Sequence, residues 1–268
     1  MTTNPTPISK GIKGKWKDCE LCFMNDVKKK ALVVGGSNGI GLSIALCLAN
    51  DYEVTVIEKV APEPKWADKL RYEAFDLTNS DYSLFDRYAD ASVVMITAGF
   101  GRLALFQDIE EEMIDKYFAV NTIPALRIIK HFYPRLLSRD DFYCGVMVSI
   151  AGFMSSPFFS IYSATKAALK VFIESVNVEL EKAGSTNRIL NVSPGSIKGT
   201  HFNGGNQNDT ETTMPLAQDV IRHLLAKDDL FIPQYDEVFH KVLERYHEDF
   251  RAEGRHSYDY KLESGRVK

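Results

Sequence analysis

A tyrosine, a lysine and a serine have the residue types and spacing of a proton-transfer site. Tyr162 and Lys166 stand four residues apart in the stretch 162–182, whose pattern predicts a long helix. Four residues make about one helical turn, so the phenol and the ammonium lie on the same face. A phenol with an ordinary pKa of about 10 is a poor base at neutral pH, but a neighbouring ammonium favours its ionised form. The pair therefore predicts a group that exchanges a proton with a substrate.

Ser149 adds a hydroxyl to this pair. It closes a predicted strand over residues 145–149 and precedes Tyr162 by thirteen residues. Such a hydroxyl can hold a substrate oxygen while the phenol exchanges the proton. Because a tyrosine four residues before a lysine is common in helices, the serine is what favours catalysis over coincidence.

Glycines follow the first predicted strand, residues 31–34. Gly35, Gly39 and Gly41 open the helix that comes next. They let the backbone turn sharply and approach a pyrophosphate without a Cβ in the way. The helix N-terminus adds free N–H groups and a partial positive charge. Glycines after a strand can serve a turn alone, but this place at the first strand–helix junction favours a dinucleotide site.

Acidic residues after the next two strands bear on the choice of dinucleotide. Glu58 ends the second strand, where an acid accepts hydrogen bonds from the ribose hydroxyls and repels a 2′-phosphate. This favours NAD, although the neighbouring Lys59 can pair with a 2′-phosphate, so NADP is not excluded. Asp76 follows the third strand and is placed either to meet the adenine ring or to cap a helix over residues 79–88.

The elements that carry these residues alternate along the chain. Short, continuously apolar runs that end at glycines or polar residues are typical of buried parallel strands. Their alternation with helices predicts a Rossmann-type, doubly wound, parallel seven-stranded sheet with helices on both faces. The predicted strands are 31–34, 54–57, 72–75, 92–97, 145–149, 189–192 and 230–232, and the main helices are 40–50, 109–137 and 162–182.

Two segments flank the core domain, which we predict over residues 28–233. Residues 1–27 form an N-terminal arm, and 234–268 form an extension whose apolar spacing predicts one amphipathic helix over 235–250. Cys19 and Cys22 in the arm form a C-x-x-C, which supplies at most half of a zinc site. Because no second half follows at usable spacing, no metal is predicted.

Composition narrows the class of protein. A chain of 268 residues is long enough for one well-buried domain. Its net charge of −4 does not suit a nucleic-acid binder. We find no run approaching the roughly 18 apolar residues that span a bilayer. The N-terminus lacks the apolar region of a secretory signal, so a cytoplasmic protein without nucleic-acid or membrane partners is expected.

Together the motifs resemble the short-chain dehydrogenase/reductase family, in its compact rather than extended branch. The resemblance spans residues 31 to about 200, and the joint pattern is highly specific. It is carried, in the family's order, by Gly35, Gly39, Ile40, Gly41, Asp76, Ala98, Gly99, Asn121, Ser149, Tyr162, Lys166, Pro194 and Gly195.

The resemblance implies an NAD(P)-dependent oxidoreductase that transfers a hydride between the nicotinamide and a small carbonyl or alcohol substrate. In that family pattern Tyr162 is the general acid/base, and Ser149 orients the substrate carbonyl. Lys166 binds the nicotinamide ribose and tunes the phenol. The implied cofactor contacts are Gly35, Ser37, Asn38, Gly39, Ile40, Glu58, Asp76, Leu77, Ala98, Gly99, Tyr162, Lys166, Pro194, Gly195, Ile197 and Thr200.

Asn121 has the fourth catalytic role that the resemblance implies, binding a water that links Lys166 to bulk solvent. Pro124 follows in the predicted helix and cannot donate to the carbonyl of Val120, so a kink is expected there. A freed carbonyl beside an asparagine makes a reasonable water site. The alternative is an asparagine simply tolerated at a kink.

The chain departs from the family pattern at several places, and Val34 stands where a threonine is common before the first glycine. Thr97 stands where an asparagine usually precedes Ala98 and Gly99, which puts the local strand pairing in doubt. Gly199 fills the place of an expected threonine, so Thr200 is the shifted candidate for contact with the nicotinamide amide.

The substrate side is less determined by the sequence. Apolar side chains after Ser149 can form a pocket wall or simply core; they are Phe153, Met154, Phe158 and Phe159. Arg102 is a candidate for holding an anionic group, whereas His201 is expected to face solvent. The family resemblance also suggests a homo-oligomer, dimer or tetramer, built on helices 109–137 and 162–182. The competing hypothesis is a dinucleotide-binding regulator that uses the fold without turnover.

Overall fold

A parallel sheet forms the centre of the computed structural model, which describes residues 28–200, 202, 208–265 and 267. The inner strands are apolar on both faces, as a sheet covered by helices requires. Within the described residues the strands are β1 (Lys30–Val34), β2 (Glu53–Glu58), β3 (Arg71–Ala74), β4 (Val93–Ile96), β5 (Tyr143–Met147), β6 (Ile189–Val192) and β7 (Leu230–Phe231).

The strand order is β3-β2-β1-β4-β5-β6-β7, and every neighbouring pair is parallel. The winding direction reverses between β1 and β4, and ligand sites of such sheets form outside the carboxyl ends at that point. Val34 pairs with Ile57 on one side and Ile96 on the other, so three strands end at the same level. This confirms the predicted doubly wound sheet.

Helices cover both faces of the sheet. They are α1 (Gly39–Leu48), α2 (Glu111–Asn121), α3 (Ile123–Leu137), α4 (Ser160–Lys182), α5 (Thr210–Ala226), α6 (His240–Glu248) and α7 (Phe250–Glu263). Because side chains alternate along a strand, β1 feeds two separate cores. Leu32 and Val34 join the core beneath α3 and α4, whereas Ala31 and Val33 join the core beneath α1 and α5.

The single helix predicted over 109–137 is wrong, because the chain forms two helices. α2 ends at Asn121 and α3 begins at Ile123, and Thr122 between them is not helical, with φ −122° and ψ −62°. Pro124 occupies the first turn of α3, where its missing N–H costs nothing. The proline therefore starts a helix instead of kinking one. α4 begins at Ser160, two residues before the predicted start at Tyr162.

The single amphipathic helix predicted over 235–250 is also wrong. A π-helical turn, Tyr235–Phe239, leads into α6, and the chain breaks at Asp249 before α7. The Asp249 carboxylate accepts hydrogen bonds from the backbone N–H groups of Arg251 and Ala252, which makes it the N-cap of a new helix. Phe250, assigned to the apolar face, is 60% exposed.

Some predictions concern residues beyond this description. The arm 1–27, with Cys19 and Cys22, and His201 lie outside the described residues. In the part of the chain that is described, no helix has the length and apolar character to cross a membrane. No group of three His, Cys, Asp or Glu side chains in that same part is arranged to hold a metal ion.

Candidate active site

The glycine-rich turn after β1 is a tightly packed cradle. Gly35 has φ +88° and Gly39 has φ +53°, both in the region that favours glycine. A Cβ on Gly35 would collide with the backbone of Ala98, so the turn lies directly against the exit of β4. Ser37 ties the turn to the end of β2, because its hydroxyl donates to the carbonyl of Val60. The sequence prediction of a sharp, side-chain-free turn is thus met.

Thr97 supports this turn from β4. Its hydroxyl oxygen lies 3.0 Å from the carbonyl oxygens of both Val34 and Gly35. The pairing of β4 with β1 is regular up to Ile96. Strand pairing is therefore undisturbed at Thr97, and the Thr97 hydroxyl bonds the carbonyls at the end of β1.

The N-terminus of α1 is already used as a binding site for an oxygen acceptor. The N–H of Gly39 donates to the side-chain carbonyl of Asn208 at 2.6 Å. The side chain of Thr200 lies over Gly39, at 3.5 Å from where a Cβ would stand. The Asn208 amide oxygen accepts the hydrogen bond that a pyrophosphate oxygen would accept at this helix N-terminus. The turn therefore fits a dinucleotide phosphate, provided that Asn208 gives up the N–H.

Charged residues surround the end of β2. Glu58 is half-buried, and burial raises the pKa of its carboxyl. Its Oε1 accepts a hydrogen bond from the Lys59 backbone N–H. The Lys59 ammonium points instead to Asp76, with Nζ 2.7 Å from Oδ2, and this hydrogen bond lowers the pKa of Asp76 to about 2. Glu58 thus occupies the predicted place while Lys59 is held by another acid.

Asp76 caps a turn in this structure. Its Oδ1 accepts hydrogen bonds from both the backbone N–H and the hydroxyl of Thr78. The predicted helix cap is wrong, because the nearest helix is a short 3-10 helix, Ser83–Tyr88, whose N-cap position is Tyr82. Leu77 follows in the same turn, and its carbonyl accepts from the Tyr82 hydroxyl.

Ser149, Tyr162 and Lys166 come together in a buried site at the carboxyl edge of the sheet. Their residues are 8%, 7% and 3% exposed. Ser149 follows β5, where its Oγ accepts from the Ala151 N–H at 3.1 Å and lies 3.4 Å from the Pro194 carbonyl. Tyr162 and Lys166 approach from the first two turns of α4.

Lys166 reaches the site from behind Tyr162. Its Nζ lies 5.7 Å from the centre of the Tyr162 ring and donates to the carbonyl of Met147 at 2.8 Å. Complete burial lowers the pKa of Lys166 to about 8. The charged form of Lys166 therefore still predominates at neutral pH, and its hydrogen bond to Met147 fixes it at the end of β5.

The expected lowering of the Tyr162 pKa is not found in this structure. Burial raises the pKa of Tyr162 to about 12, and the neighbouring Ser149 hydroxyl offsets only part of that increase. Removing a phenolate from water opposes its ionisation. Tyr162 is therefore a protonated phenol at neutral pH, in the form that donates a proton.

Asn121 joins α2 to the floor of the site. Its Oδ1 accepts from the N–H of Phe100, and its Nδ2 donates to the carbonyl of Phe100 and to Thr165 Oγ1. The Asn121 side chain is therefore a clamp on the chain after Gly99. Its Oδ1 and Lys166 Nζ both approach Gly99, at 3.3 and 3.4 Å from where a Cβ would stand.

Aromatic rings cover the Tyr162 ring. Phe159 and Phe202 each have their ring centre 5.2 Å from that of Tyr162. Of the proposed wall residues, Phe159 therefore meets the site, whereas Phe158 stacks on Tyr258 of α7. Arg102 is an exposed residue, and its N–H donates to the Tyr117 hydroxyl.

The remaining predicted cofactor residues lie along the carboxyl edge of the sheet. Asn38 and Ile40 flank Gly39, and the Ala98 N–H donates to the Val34 carbonyl at 3.1 Å. Pro194, Gly195, Ile197 and Thr200 follow β6, where the Thr200 hydroxyl donates to the carbonyl of Ile197.

Several site residues were missed by sequence reasoning. Thr165 donates to the Tyr162 carbonyl at 2.6 Å, and Asn208 occupies the α1 N-terminus. Thr165 lies inside the Tyr-to-Lys spacing and was open to notice. Asn208, Phe202 and Tyr258 reach the site only through tertiary contacts, and no local pattern indicates them.

Comparison with known proteins gives consistent relatives. Residues 29–211 match the family described as short chain dehydrogenase. Uncharacterized oxidoreductase TDA5 of Saccharomyces cerevisiae is 30% identical over 200 residues, which cover 70% of this chain and 60% of the yeast protein. Retinol dehydrogenase 8 of Bos taurus is 26% identical over 238 residues, covering 82% of this chain and 74% of the bovine protein. The chain thus spans less than two thirds of the yeast relative.

Solved structures share the fold. A short-chain dehydrogenase from Streptomyces avermitilis superposes with a TM-score of 0.68 and 21% identity, covering 88% of this chain and 99% of that one. An alcohol dehydrogenase from Thermococcus sibiricus, complexed with 5-hydroxy-NADP, gives a TM-score of 0.64 and 21% identity, covering 76% and 95%.

Proposed function

This chain belongs to the short-chain dehydrogenase family, and we propose that it is an oxidoreductase that interconverts a carbonyl compound and an alcohol with a nicotinamide dinucleotide. The observation that carries the proposal is the convergence of Tyr162, Ser149 and Lys166 in one buried site beside the glycine turn. The dinucleotide, when bound, would supply or accept the hydride.

Tyr162 would move the proton. Its phenol is protonated at neutral pH, because burial raises its pKa to about 12. It can therefore donate to a carbonyl oxygen that gains negative charge during reduction, and take the proton back in the reverse direction. The Ser149 hydroxyl would hold that oxygen, since both groups reach the same buried space.

Lys166 would supply the positive charge that makes this exchange possible. With a pKa of about 8, its ammonium is mostly charged at pH 7. A cation in a buried site favours a nearby phenolate more than it would in water. The hydrogen bond to Met147 fixes the amine in place, and Asn121 would hold the neighbouring chain through the N–H and the carbonyl of Phe100.

The cofactor would lie across the carboxyl edge from the glycine turn to Tyr162. We propose NAD as the preferred form, because Glu58 would accept hydrogen bonds from the ribose and repel a 2′-phosphate. Lys59, the residue that would favour NADP, is engaged by Asp76 at 2.7 Å. The Thermococcus structure carries an NADP derivative, so both forms belong in the test.

We also propose a homo-oligomer, a dimer or tetramer, formed through the long helices. Val171 and Val178 lie seven residues apart on α4 and are 58% and 56% exposed, so two apolar side chains of that helix face outwards. Light scattering on the purified protein measures the assembly directly.

The proposed function is tested by binding and turnover on one preparation. We expect stoichiometric binding of NADH by titration calorimetry, and a change in absorbance at about 340 nm with at least one member of a panel of aldehydes and ketones. Tight binding without turnover of any compound, with NADH or NADPH, would contradict the proposal and support a dinucleotide-binding regulator.

A further inference from the structure

The C-terminal extension consists of a short turn and two helices that contact each other. After β7 it comprises the turn Tyr235–Phe239, α6 and α7, all beyond the family match that ends at residue 211. Arg245 of α6 and Glu253 of α7 form a two-point ion pair, with N···O distances of 2.7 and 3.0 Å. Glu253 is only 7% exposed, whereas the Arg245 side chain is about half exposed, and the two-point pair joins the two helices.

One end of the extension supports the strand exit beside Ser149. The Phe239 ring lies on Gly195, with Cζ only 2.6 Å from where a Cβ of that glycine would stand. The preceding carbonyl, of Pro194, accepts from the Ile150 N–H at 3.0 Å and faces the Ser149 hydroxyl. Phe239 therefore backs the turn against which Ser149 is held.

The other end clamps residues 155–159, which we call the aromatic loop. The Tyr258 ring stacks on Phe158, with ring centres 4.6 Å apart. Lys261 Nζ donates to Ser156 Oγ at 2.7 Å and to the Pro157 carbonyl at 2.8 Å. The same ammonium lies 5.6 Å from the centre of the Phe159 ring.

The aromatic loop needs such a clamp. Phe158 has φ +66°, a left-handed conformation that a bulky residue adopts only when its surroundings enforce it. It is also almost fully buried, and its carbonyl accepts from the Ala104 N–H at 2.9 Å. The next residue, Phe159, is the ring that meets Tyr162. Contacts thus run from Tyr258 through the strained Phe158 to the wall of the reacting site.

We propose that Tyr258 and Lys261 are positioning residues of the active site, which hold the Phe159 wall against Tyr162 and so determine the fit of apolar carbonyl substrates. The proposal rests on the proposed function for its substrate, and on the loop geometry alone for its structural part. Neither residue touches the reacting atoms, so each acts through the aromatic loop.

The structural part is tested by hydrogen exchange on the full chain. Tyr258→Ala and Lys261→Met should each speed amide exchange in residues 153–163 by about fivefold, because an aromatic stack or a cation over a ring stabilises by about that factor. Residues 31–48, at the glycine turn, should exchange as in the wild type. Phe250→Ala and Lys241→Met remove an exposed ring and an exposed amine from the same extension and should change neither segment.

Conservative variants separate positioning from general loss of folding. Tyr258→Phe and Lys261→Arg keep the ring and the charge, and should restore wild-type exchange in residues 153–163. If exchange there is unchanged in Tyr258→Ala and Lys261→Met, or if it rises equally at residues 31–48, the proposal is overturned.

The substrate part uses any aldehyde or ketone that the wild type reduces, compared at two sizes. Tyr258→Ala should raise KM for a large apolar aldehyde about tenfold and for acetaldehyde less than about twofold, with NADH affinity unchanged. Equal effects on both aldehydes would overturn the specificity role. If the wild type reduces no compound, the proposed function fails, and the exchange measurements still decide whether the extension positions the loop.

Discussion

The two sides of the candidate site are built in different ways. The dinucleotide side is made of backbone: the turn at Gly35 and Gly39, the first N–H of α1 and the ends of three strands in register. The substrate side is made of side chains that meet from distant parts of the chain, such as Phe159 from the aromatic loop and Tyr258 from α7. Local sequence therefore determines the first side, and tertiary packing determines the second.

This difference makes a prediction about variants. Changes on the dinucleotide side should alter cofactor affinity and leave the chemical step intact. Changes on the substrate side should alter kcat or KM and leave cofactor affinity intact. A dinucleotide-side variant that slows the chemical step, or a substrate-side variant that weakens cofactor binding, would contradict this difference between the two sides.

Ser149→Ala is the first such test. We expect kcat to fall about 100-fold, since a hydroxyl aimed at a developing negative charge is lost, while the NADH Kd stays within about twofold. Ser163→Ala is the matched control, because the buried Ser163 hydroxyl has no hydrogen-bond partner among the described residues. A control variant as slow as Ser149→Ala would mean that the loss is structural.

Lys166→Met tests the residue at which the two sides meet, through the pH dependence of stability. Folding lowers the pKa of Lys166 from 10.5 to about 8, so the unfolded chain binds the proton more tightly. Its contribution to stability is therefore complete above pH 10.5 and is lost as the pH falls through 8. The free energy of unfolding of the wild type, relative to Lys166→Met, should rise by about 2–3 kcal/mol from pH 7.5 to 10.5. Urea titrations at a series of pH values measure this difference, and a flat or falling curve would contradict the burial argument.

Much of the fold was predictable because the residues within a strand or turn are enough to identify that element. The continuous apolar run at 31–34 and the glycines after it predicted β1 and the turn without reference to any distant residue. The break at Thr122 was not predicted, because Pro124 is compatible both with a kink and with the first turn of a new helix. The break at Asp249 carried an N-cap signal that the apolar spacing concealed.

The candidate site divides in the same way. Tyr162, Lys166 and Ser149 were predicted because spacing on one helix and the end of one strand suffices to bring them together. The stack of Tyr258 on Phe158 joins residues a hundred positions apart, and nothing in either local sequence indicates the other. The rise in the pKa of Tyr162 was not predicted, because the depth of its burial is a property of the packed protein.

Glu58→Ala tests how the dinucleotide side distinguishes NAD from NADP. Removing a carboxylate that repels a 2′-phosphate should relax discrimination against NADP by about 1–3 kcal/mol, measured as the ratio of Kd values for NADPH and NADH. Lys59→Ala should weaken NADPH binding only slightly, because Asp76 already holds that ammonium. A wild type that prefers NADPH would show instead that Lys59 governs this pocket.

Asn208→Ala should have the smallest effect. Its side chain competes for the N–H of Gly39, so its removal should tighten NADH binding by about two- to tenfold, the value of one hydrogen bond. The turnover rate at saturating cofactor should not change. Weaker NADH binding in this variant would mean that Asn208 holds the cofactor instead of competing with it.

The central claim is that the Tyr162 hydroxyl moves the proton in a site that binds dinucleotide independently of it. Tyr162→Phe, measured by absorbance at about 340 nm and by NADH titration on the same preparation, tests this most directly. We predict that kcat falls by at least about 100-fold while the NADH Kd stays within about twofold. Turnover equal to the wild type, in a variant that binds NADH normally, would contradict the account.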